Sequence, residues 1–265
     1  SLLIYNQVLS KFGQHQLAMK ILMHEDYPSW LYAVNKGATT VWERWNSVQE
    51  DDTMHPDGMN SLNHYSIGAV MEWAYRYILG VKSVAPGAQV VEWSPLFDYR
   101  LKKVKGHVGS SYGKLEVSYQ IELNDNHLIE ATLVVPYGQT VKVKLPRAIG
   151  TKVKVNENRY ETSEFSLEVG TYKISYIPTE NYIEHYSMNT TVREIMADDE
   201  LVSKIDTITD ALNFFKADPE SITGGLGGMT LAKVNSILPF ITINDDEMSK
   251  IHEVLVQTPL LSERN

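Results

Sequence analysis

The apolar positions of this 265-residue chain change period twice. From residue 1 to about 82 they recur at three- and four-residue spacing, the mark of helices that bury one face. Leu2, Leu3, Tyr5, Val8 and Leu9, followed by Leu17, Ile21 and Leu22, predict two short helices broken at Gly13. "HEDYPSWLYAVNKGATT" reads as a loop because it holds Pro28 and Gly37, with Trp30, Leu31 and Tyr32 pinning it to a core. A helix is predicted from Thr39 into Ser47, followed by the polar loop "QEDDTMHPDGMNSLN". The next helix carries Ile67, Val70, Met71, Ala74, Tyr77 and Ile78, starts from Asn60 or Ser61 as N-cap and stops at Gly80.

Between residues 88 and about 177 the period becomes two. "QVVEWSP", "GKLEVSYQIEL", "HLIEATLVVP", "TVKVKLP", "TKVKVNE" and "GTYKISYIP" alternate apolar and polar residues, separated by turn signals at Asn124-Asp125 and Pro136-Tyr137-Gly138. This pattern predicts an antiparallel sandwich or jelly roll. From Ser187 the helical period returns in "VREIMADDELVSKI", "ITDALNFF", "LAKVNSILPFI" and "DDEMSKIHEVLV", with "ITGGLGGMT" as the clearest break. The expected fold is therefore α+β and multi-domain, with segments 1–85, 86–185 and 186–265.

Composition narrows the function. The apolar fraction of 43% and charged fraction of 22% are those of a soluble globular protein. A net charge of −9 argues against a nucleic-acid partner, which would call for basic patches. The charge is uneven: residues 86–185 carry 12 basic and 12 acidic side chains, and residues 186–265 carry 6 and 13. The chain has no cysteine, which suits a reducing compartment, and a cytoplasmic location is expected. No apolar run is long enough to span a bilayer, so no membrane partner is expected. The eight histidines show no metal-ligand spacing, "GGLGG" completes no dinucleotide fingerprint, and neither a metal nor a cofactor is expected. "SLLIYNQVLSKFG" lacks a starting Met and reads as helix almost at once, which suggests a piece of something longer.

The candidate chemistry lies in "ATTVWERWNS", residues 38–47, where Glu43 stands between Trp42 and Trp45. Sugar-binding clefts mix these types, because indole faces stack on the C–H faces of a pyranose while carboxylates handle its hydroxyls. A carboxylate in the first turns of a helix is held ionised by the macrodipole, which suits a base better than an acid. The residues also admit plain readings. Glu43 could be a solvated helix glutamate or the partner of Arg44, and the tryptophans could be core. His64 and Asn63 stand at the mouth of the following helix, where an imidazole could bond a hydroxyl or be structural, and Trp73 reads as core.

Together, "YPSWLYAVNKGATTVWERWNS" and "MNSLNHYSIGAVMEWAYRYILGV" resemble the end of the catalytic domain of bacterial α-L-rhamnosidases of glycoside hydrolase family 78. The likeness is close over residues 27–81 and architectural from 82 to about 177. It implies the last helices of an (α/α)6 barrel, then an antiparallel β-sandwich, then a small helical C-terminal region. It implies hydrolysis of terminal α-L-rhamnosyl residues with inversion, on a rhamnose-containing glycoside. Glu43 falls at the family's general base and His64 at a histidine that contacts rhamnose; Trp42 and Asn63 join His64 as expected substrate-binding residues. The family's general acid lies in an upstream motif absent from this sequence. The chain is therefore expected to depend on a missing N-terminal part and to be inactive alone. Other readings are another (α/α)6-barrel glycosidase or phosphorylase, or a non-catalytic carbohydrate-binding or packing module. Tyr112, Tyr119 and Tyr137 are the sandwich's few exposed-looking aromatics, which favours packing.

Overall fold

The computed structural model describes residues 5–122, 127–148, 152–179 and 182–261. The expected turn at Asn124-Asp125 and the helical positions Leu2 and Leu3 lie outside these residues. The chain divides into two compact units, residues 1–182 and 183–265.

The first unit begins with α1 (Tyr5–Lys11) and α2 (His15–Leu22), broken at Gly13 as the pattern predicts. A third helix, α3 (Trp30–Asn35), occupies the stretch expected to be loop. Ser29 caps it by accepting from the Tyr32 N–H at 2.9 Å, so Pro28 and Gly37 bracket a helix instead of abolishing one. The helix expected over Thr39–Ser47 is absent: this stretch is a run of bends and turns. Thr39, Thr40 and Val41 are three consecutive β-branched residues, which lose side-chain freedom in a helix. The polar groups of this stretch pair instead with residues 61–64, far along the chain. With the helix goes the macrodipole argument for Glu43.

The next helical run spans Ser66 to Ile78 in three pitches: a 3₁₀ turn (Ser66–Ala69), α4 (Val70–Trp73) and a π turn (Ala74–Ile78). It starts later than expected. Neither Asn60 nor Ser61 caps it; the Ser66 N–H is met by the ring of His64 at 3.2 Å. Gly80 ends it with φ +82°, and a Cβ there would sit 2.5 Å from the Pro95 backbone, so only glycine fits.

The sandwich closes off the carbonyls that this helix end leaves unpaired. Tyr119 donates its hydroxyl to the Ile78 carbonyl at 2.9 Å, Trp93 donates Nε1–H to the Leu79 carbonyl at 3.1 Å, and Leu96 N–H reaches the Tyr77 carbonyl at 2.8 Å. Tyr119, expected at the surface, is thus buried, and burial pushes its phenol pKa strongly up. Tyr137 is exposed.

Among the described residues, ten strands form two sheets. The smaller has the order β1-β2-β6-β9 (Val81–Ser83, Val90–Trp93, Thr140–Lys144, Glu164–Leu167). The larger has the order β3-β4-β5-β10-β7-β8 (Lys103–Ser110, Gly113–Ile121, Ile129–Val135, Gly170–Tyr176, Val153–Val155, Asn158–Tyr160). All pairings are antiparallel except β2 with β6, which run parallel because β3 to β5 intervene in the other sheet. Alternation decides which side chains go inward. Leu115, Val117, Ile129, Leu133 and Ile174 of the larger sheet meet Val91, Trp93, Val141 and Val143 of the smaller in one core.

The second unit is helical: α5 (Val192–Met196), α6 (Asp199–Asp206), α7 (Asn213–Ala217), α8 (Glu220–Thr223), α9 (Leu231–Ile237) and α10 (Asp245–Gln257). Thr191 with Glu194 and Asn244 with Glu247 form capping boxes that start α5 and α10. Its core is Val192, Leu201, Ile205, Leu212, Phe215, Val234 and Ile251.

One buried group gives the first unit a pH dependence. His15 hydrogen-bonds Ser10 Oγ through Nδ1 at 2.9 Å, and Ser10 Oγ accepts from Trp73 Nε1 at 2.8 Å, tying α1 and α2 to α4. Burial is the main cause that lowers its pKa to about 4, helped by the charge of Arg100. The unfolded chain, with a histidine pKa near 6.5, therefore binds a proton that the folded chain refuses. Stability from this group is present above pH 6.5 and is lost as pH falls to about 4, by roughly 3 kcal/mol in all. Denaturant unfolding of the wild type and His15→Gln across this range should show the steeper acid loss in the wild type; parallel curves would contradict it.

Candidate active site

Two loop segments are laced together around Glu43. The Glu43 N–H donates to the Ser61 carbonyl at 2.8 Å, and the Ser61 N–H returns the bond to Glu43 Oε2 at 2.8 Å. The His64 N–H donates to the Val41 carbonyl at 2.8 Å, and the Thr40 hydroxyl donates to the Leu62 carbonyl. These four bonds place the carboxylate and the imidazole on neighbouring strips of backbone, although 21 positions separate them in the sequence.

The carboxylate is half-buried and anchored on one side only. Oε2 takes the Ser61 amide, whereas Oε1 has no protein partner among the described residues. Arg44, a possible partner of Glu43, turns elsewhere: its Nε donates to the Met59 carbonyl at 2.8 Å and Nη1 lies 3.0 Å from Asp57 Oδ2. Ser47 Oγ donates to the Arg44 carbonyl, and Asn60 Nδ2 and the His55 N–H both donate to the Ser47 carbonyl. The loop is thus fixed by its own backbone groups.

His64 is oriented by Ser66. Its Nδ1 accepts the Ser66 N–H at 3.2 Å and also meets Ser66 Oγ, while its ring stacks on Tyr65 at 5.4 Å and 6°. An Nδ1 that accepts a backbone amide carries no proton, so the neutral ring has its hydrogen on Nε2, ready to donate. Asn63 is exposed, and its side-chain amide makes no hydrogen bond among the described residues. Trp42 is different. Only 4% of its surface is exposed, and with Val41, Arg44, Trp45 and Ile67 it lines a cavity of about 240 Å³. Trp45 meets Trp30 edge-on at 4.9 Å, and Trp30 donates Nε1–H to the Ile67 carbonyl at 2.9 Å. Trp73 is core.

Ser61 and Ser66 are the residues that sequence reasoning missed as holders of the site. Ser61 was weighed only as a helix cap. Ser61 acts through its main-chain N–H, which leaves no mark in side-chain identity, whereas Ser66 adds its hydroxyl to its amide. Among the described residues, no group of three or more His, Asp or Glu side chains is placed to hold a metal ion. No helix among them is long and apolar enough to cross a membrane.

Residues 2–78 match the bacterial alpha-L-rhamnosidase 6 hairpin glycosidase domain, and residues 80–160 match the bacterial alpha-L-rhamnosidase C-terminal domain. Over these two segments the chain belongs to the bacterial α-L-rhamnosidase family. An α-L-rhamnosidase of Formosa agariphila is 36% identical over 156 residues, covering 58% of this chain and 16% of the relative. One from an Alteromonas species is 32% identical over 176 residues, covering 66% and 19%. Among solved structures, the Streptomyces avermitilis α-L-rhamnosidase complexed with L-rhamnose aligns with TM-score 0.57 and 28% identity, over 64% of this chain and 17% of that one. The enzyme from Dictyoglumus thermophilum gives 0.56 and 27%, over 66% and 20%. The chain thus spans about a fifth or less of the length of these α-L-rhamnosidases. The six-hairpin domain followed by the C-terminal domain accounts for the order of helices and sheets in the first unit.

Proposed function

We propose that this chain supplies the base side of the active site of an inverting α-L-rhamnosidase, with Glu43 as general base. The lacing of Glu43 to Ser61 carries the reading: one carboxylate oxygen is pinned by an amide and the other is left to accept a proton from water. In an inverting glycosidase the base draws a proton from water on one face of the ring while an acid protonates the leaving oxygen on the other, the two carboxyls roughly 6.5–9.5 Å apart. The water attacks the anomeric carbon, the glycosidic bond breaks, and the sugar leaves with inverted configuration.

His64 takes a binding role. With Nδ1 engaged by Ser66, its Nε2–H donates to a hydroxyl of the rhamnosyl ring. The unengaged amide of Asn63 offers two donors and an acceptor beside it. Trp42 shapes the floor through the cavity it lines and contacts a sugar only from there. The acid is assigned outside this chain, because the upstream acidic motif of the family is not in the sequence. The substrate is a glycoside with a terminal α-L-rhamnosyl group. The large apolar side chains exposed on the first helices and loops, among them Phe12, Val34, Met59 and Tyr65, fit a surface that the rest of the barrel covers.

Three outcomes are expected. In the enzyme that contains this chain, Glu43→Gln should lower hydrolysis of an aryl rhamnoside by about two to four orders of magnitude with binding retained; near-normal turnover would exclude Glu43 as base. His64→Ala should weaken substrate binding and lower turnover while leaving the acid-limb pKa of the rate profile in place; loss of that limb would make His64 a proton carrier. The 265-residue chain alone should show no rhamnosidase activity, and limited proteolysis should cut residues 5–78 before the sandwich. Measurable turnover by the isolated chain would place an acid within it.

A further inference from the structure

The outer face of the six-stranded sheet has a charge opposite to that of the chain. Strand register puts Lys103, Gln120, Glu130, Ser175, Lys154 and Arg159 in one row across β3, β4, β5, β10, β7 and β8. The row beside it reads Lys105, Ser118, Thr132 and Lys173. Neighbouring strands lie about 4.8 Å apart, so Lys103 and Lys154 stand roughly 19 Å apart across the sheet. One hollow of about 660 Å³ lies over Lys103, Lys105 and Lys173, and a second of about 410 Å³ over Lys152, Lys154 and Arg159; both include Ser175.

Six cations and one carboxylate line this continuous surface, on a chain of net charge −9. The carboxylate, Glu130, is engaged by Gln120 Nε2 at 2.6 Å. None of the six cations is ion-paired to a carboxylate among the described residues. Six mutually repelling, unpaired cations on one face are a cost to the isolated fold that an anionic partner removes. The centre between the cations is hydroxyl and amide: Ser118, Gln120, Thr132, Ser175 and Asn156. The aromatic residues lining the hollows, Tyr119 and Tyr176, are both buried and point into the core. Without an exposed ring there is no platform for stacking nucleobases, nor for the stacking by which neutral sugars are held. Charge and hydroxyl recognition remain.

We infer that this face is a binding surface for an acidic polysaccharide, a glycan chain carrying carboxylate or sulfate groups, which shares no residue with the site around Glu43 and is independent of the rhamnosidase reading. The cations of β3 on one side and of β10, β7 and β8 on the other take the anionic groups, and the polar positions of β4 and β5 between them take the sugar hydroxyls. Affinity should fall steeply with salt, because each neutralised anion releases a counterion.

The test is affinity electrophoresis and calorimetry of the 265-residue chain with four probes: polygalacturonate for carboxylate, iota-carrageenan for sulfate, pullulan as the neutral control and single-stranded DNA as the competing polyanion. At least one acidic polymer should retard the chain, pullulan should not, and the two acidic arms tell which anion is preferred. Raising salt from about 20 to about 300 mM should weaken binding by at least about tenfold. The triple reversal Lys103→Glu, Lys105→Glu and Lys173→Glu should abolish binding, as should Lys152→Glu with Lys154→Glu and Arg159→Glu, whereas Lys233→Glu in the second unit should not. Circular dichroism and thermal melting establish that each variant is folded. No retardation by either acidic polymer, equal retardation by pullulan, unchanged binding in both folded reversals, or equal or tighter binding of single-stranded DNA would each overturn the inference.

Discussion

The reciprocal bonds between Glu43 and Ser61 constrain everything else in the helical part of the first unit. They are main-chain bonds made by a side chain and its own backbone, so both the position and the direction of the carboxylate are set at once. For that pairing to form, residues 38–47 must stay out of a helix. The 61–64 strip must lie alongside, and the helical run must wait until Ser66 to begin. His64 then lands between lacing and helix, its backbone held by Val41 and its ring by Ser66. A loop of nearly thirty residues between elements would ordinarily be free to wander. Here the Asn60 amide on the Ser47 carbonyl and the Arg44–Asp57 pair close the loop on itself, and the Tyr32 hydroxyl on the Val48 carbonyl ties it to α3.

The sandwich has a mechanical part in this arrangement. A helix that ends in a π turn leaves carbonyls unpaired, and Tyr119, Trp93 and Leu96 meet those of Ile78, Leu79 and Tyr77 from the strands and their connections. Two of these donors are buried aromatic side chains whose rings also fill the sandwich core. The end of the helix that follows His64 is therefore embedded in a second hydrophobic core. This gives physical content to the adjacency of the two matched domains: the joint at Gly80 is closed by donors and by a contact that no side chain could tolerate. The outer face of the larger sheet is spared this duty, and its rows carry the unpaired cations.

Much of the fold was legible where a single physical preference dominates. Strict alternation in "HLIEATLVVP" and "GKLEVSYQIEL" fixed both strand and inward face, because one side meets a core and the other does not. The break at Gly13 and the stop at Gly80 were legible for the same reason. Strand β3 was not, since its sequence holds Gly106, His107 and Gly109 and none of its residues is fully buried. The three-residue spacing of Trp42 and Trp45 is compatible with a helix, yet it equally serves a loop whose two rings line one cavity. Tyr119 looked exposed by pattern, yet a phenol can enter a core when its hydroxyl finds a carbonyl. Of the candidate site, Glu43 and His64 stand out by residue type. Their apposition was not legible, because it rests on the amides of Glu43, Ser61 and His64, which every residue but proline possesses.

The account's central claim is that Glu43 attends the face of the rhamnosyl ring opposite the leaving group, and chemical rescue tests it most directly. In the enzyme containing this chain, Glu43→Ala should lose turnover of an activated aryl α-L-rhamnoside, and added azide should restore it without needing a base. Proton NMR of the product should show a rhamnosyl azide of inverted, β configuration, formed from the face that Glu43 attends. No rescue, or an azide product that keeps the α configuration, would contradict the claim.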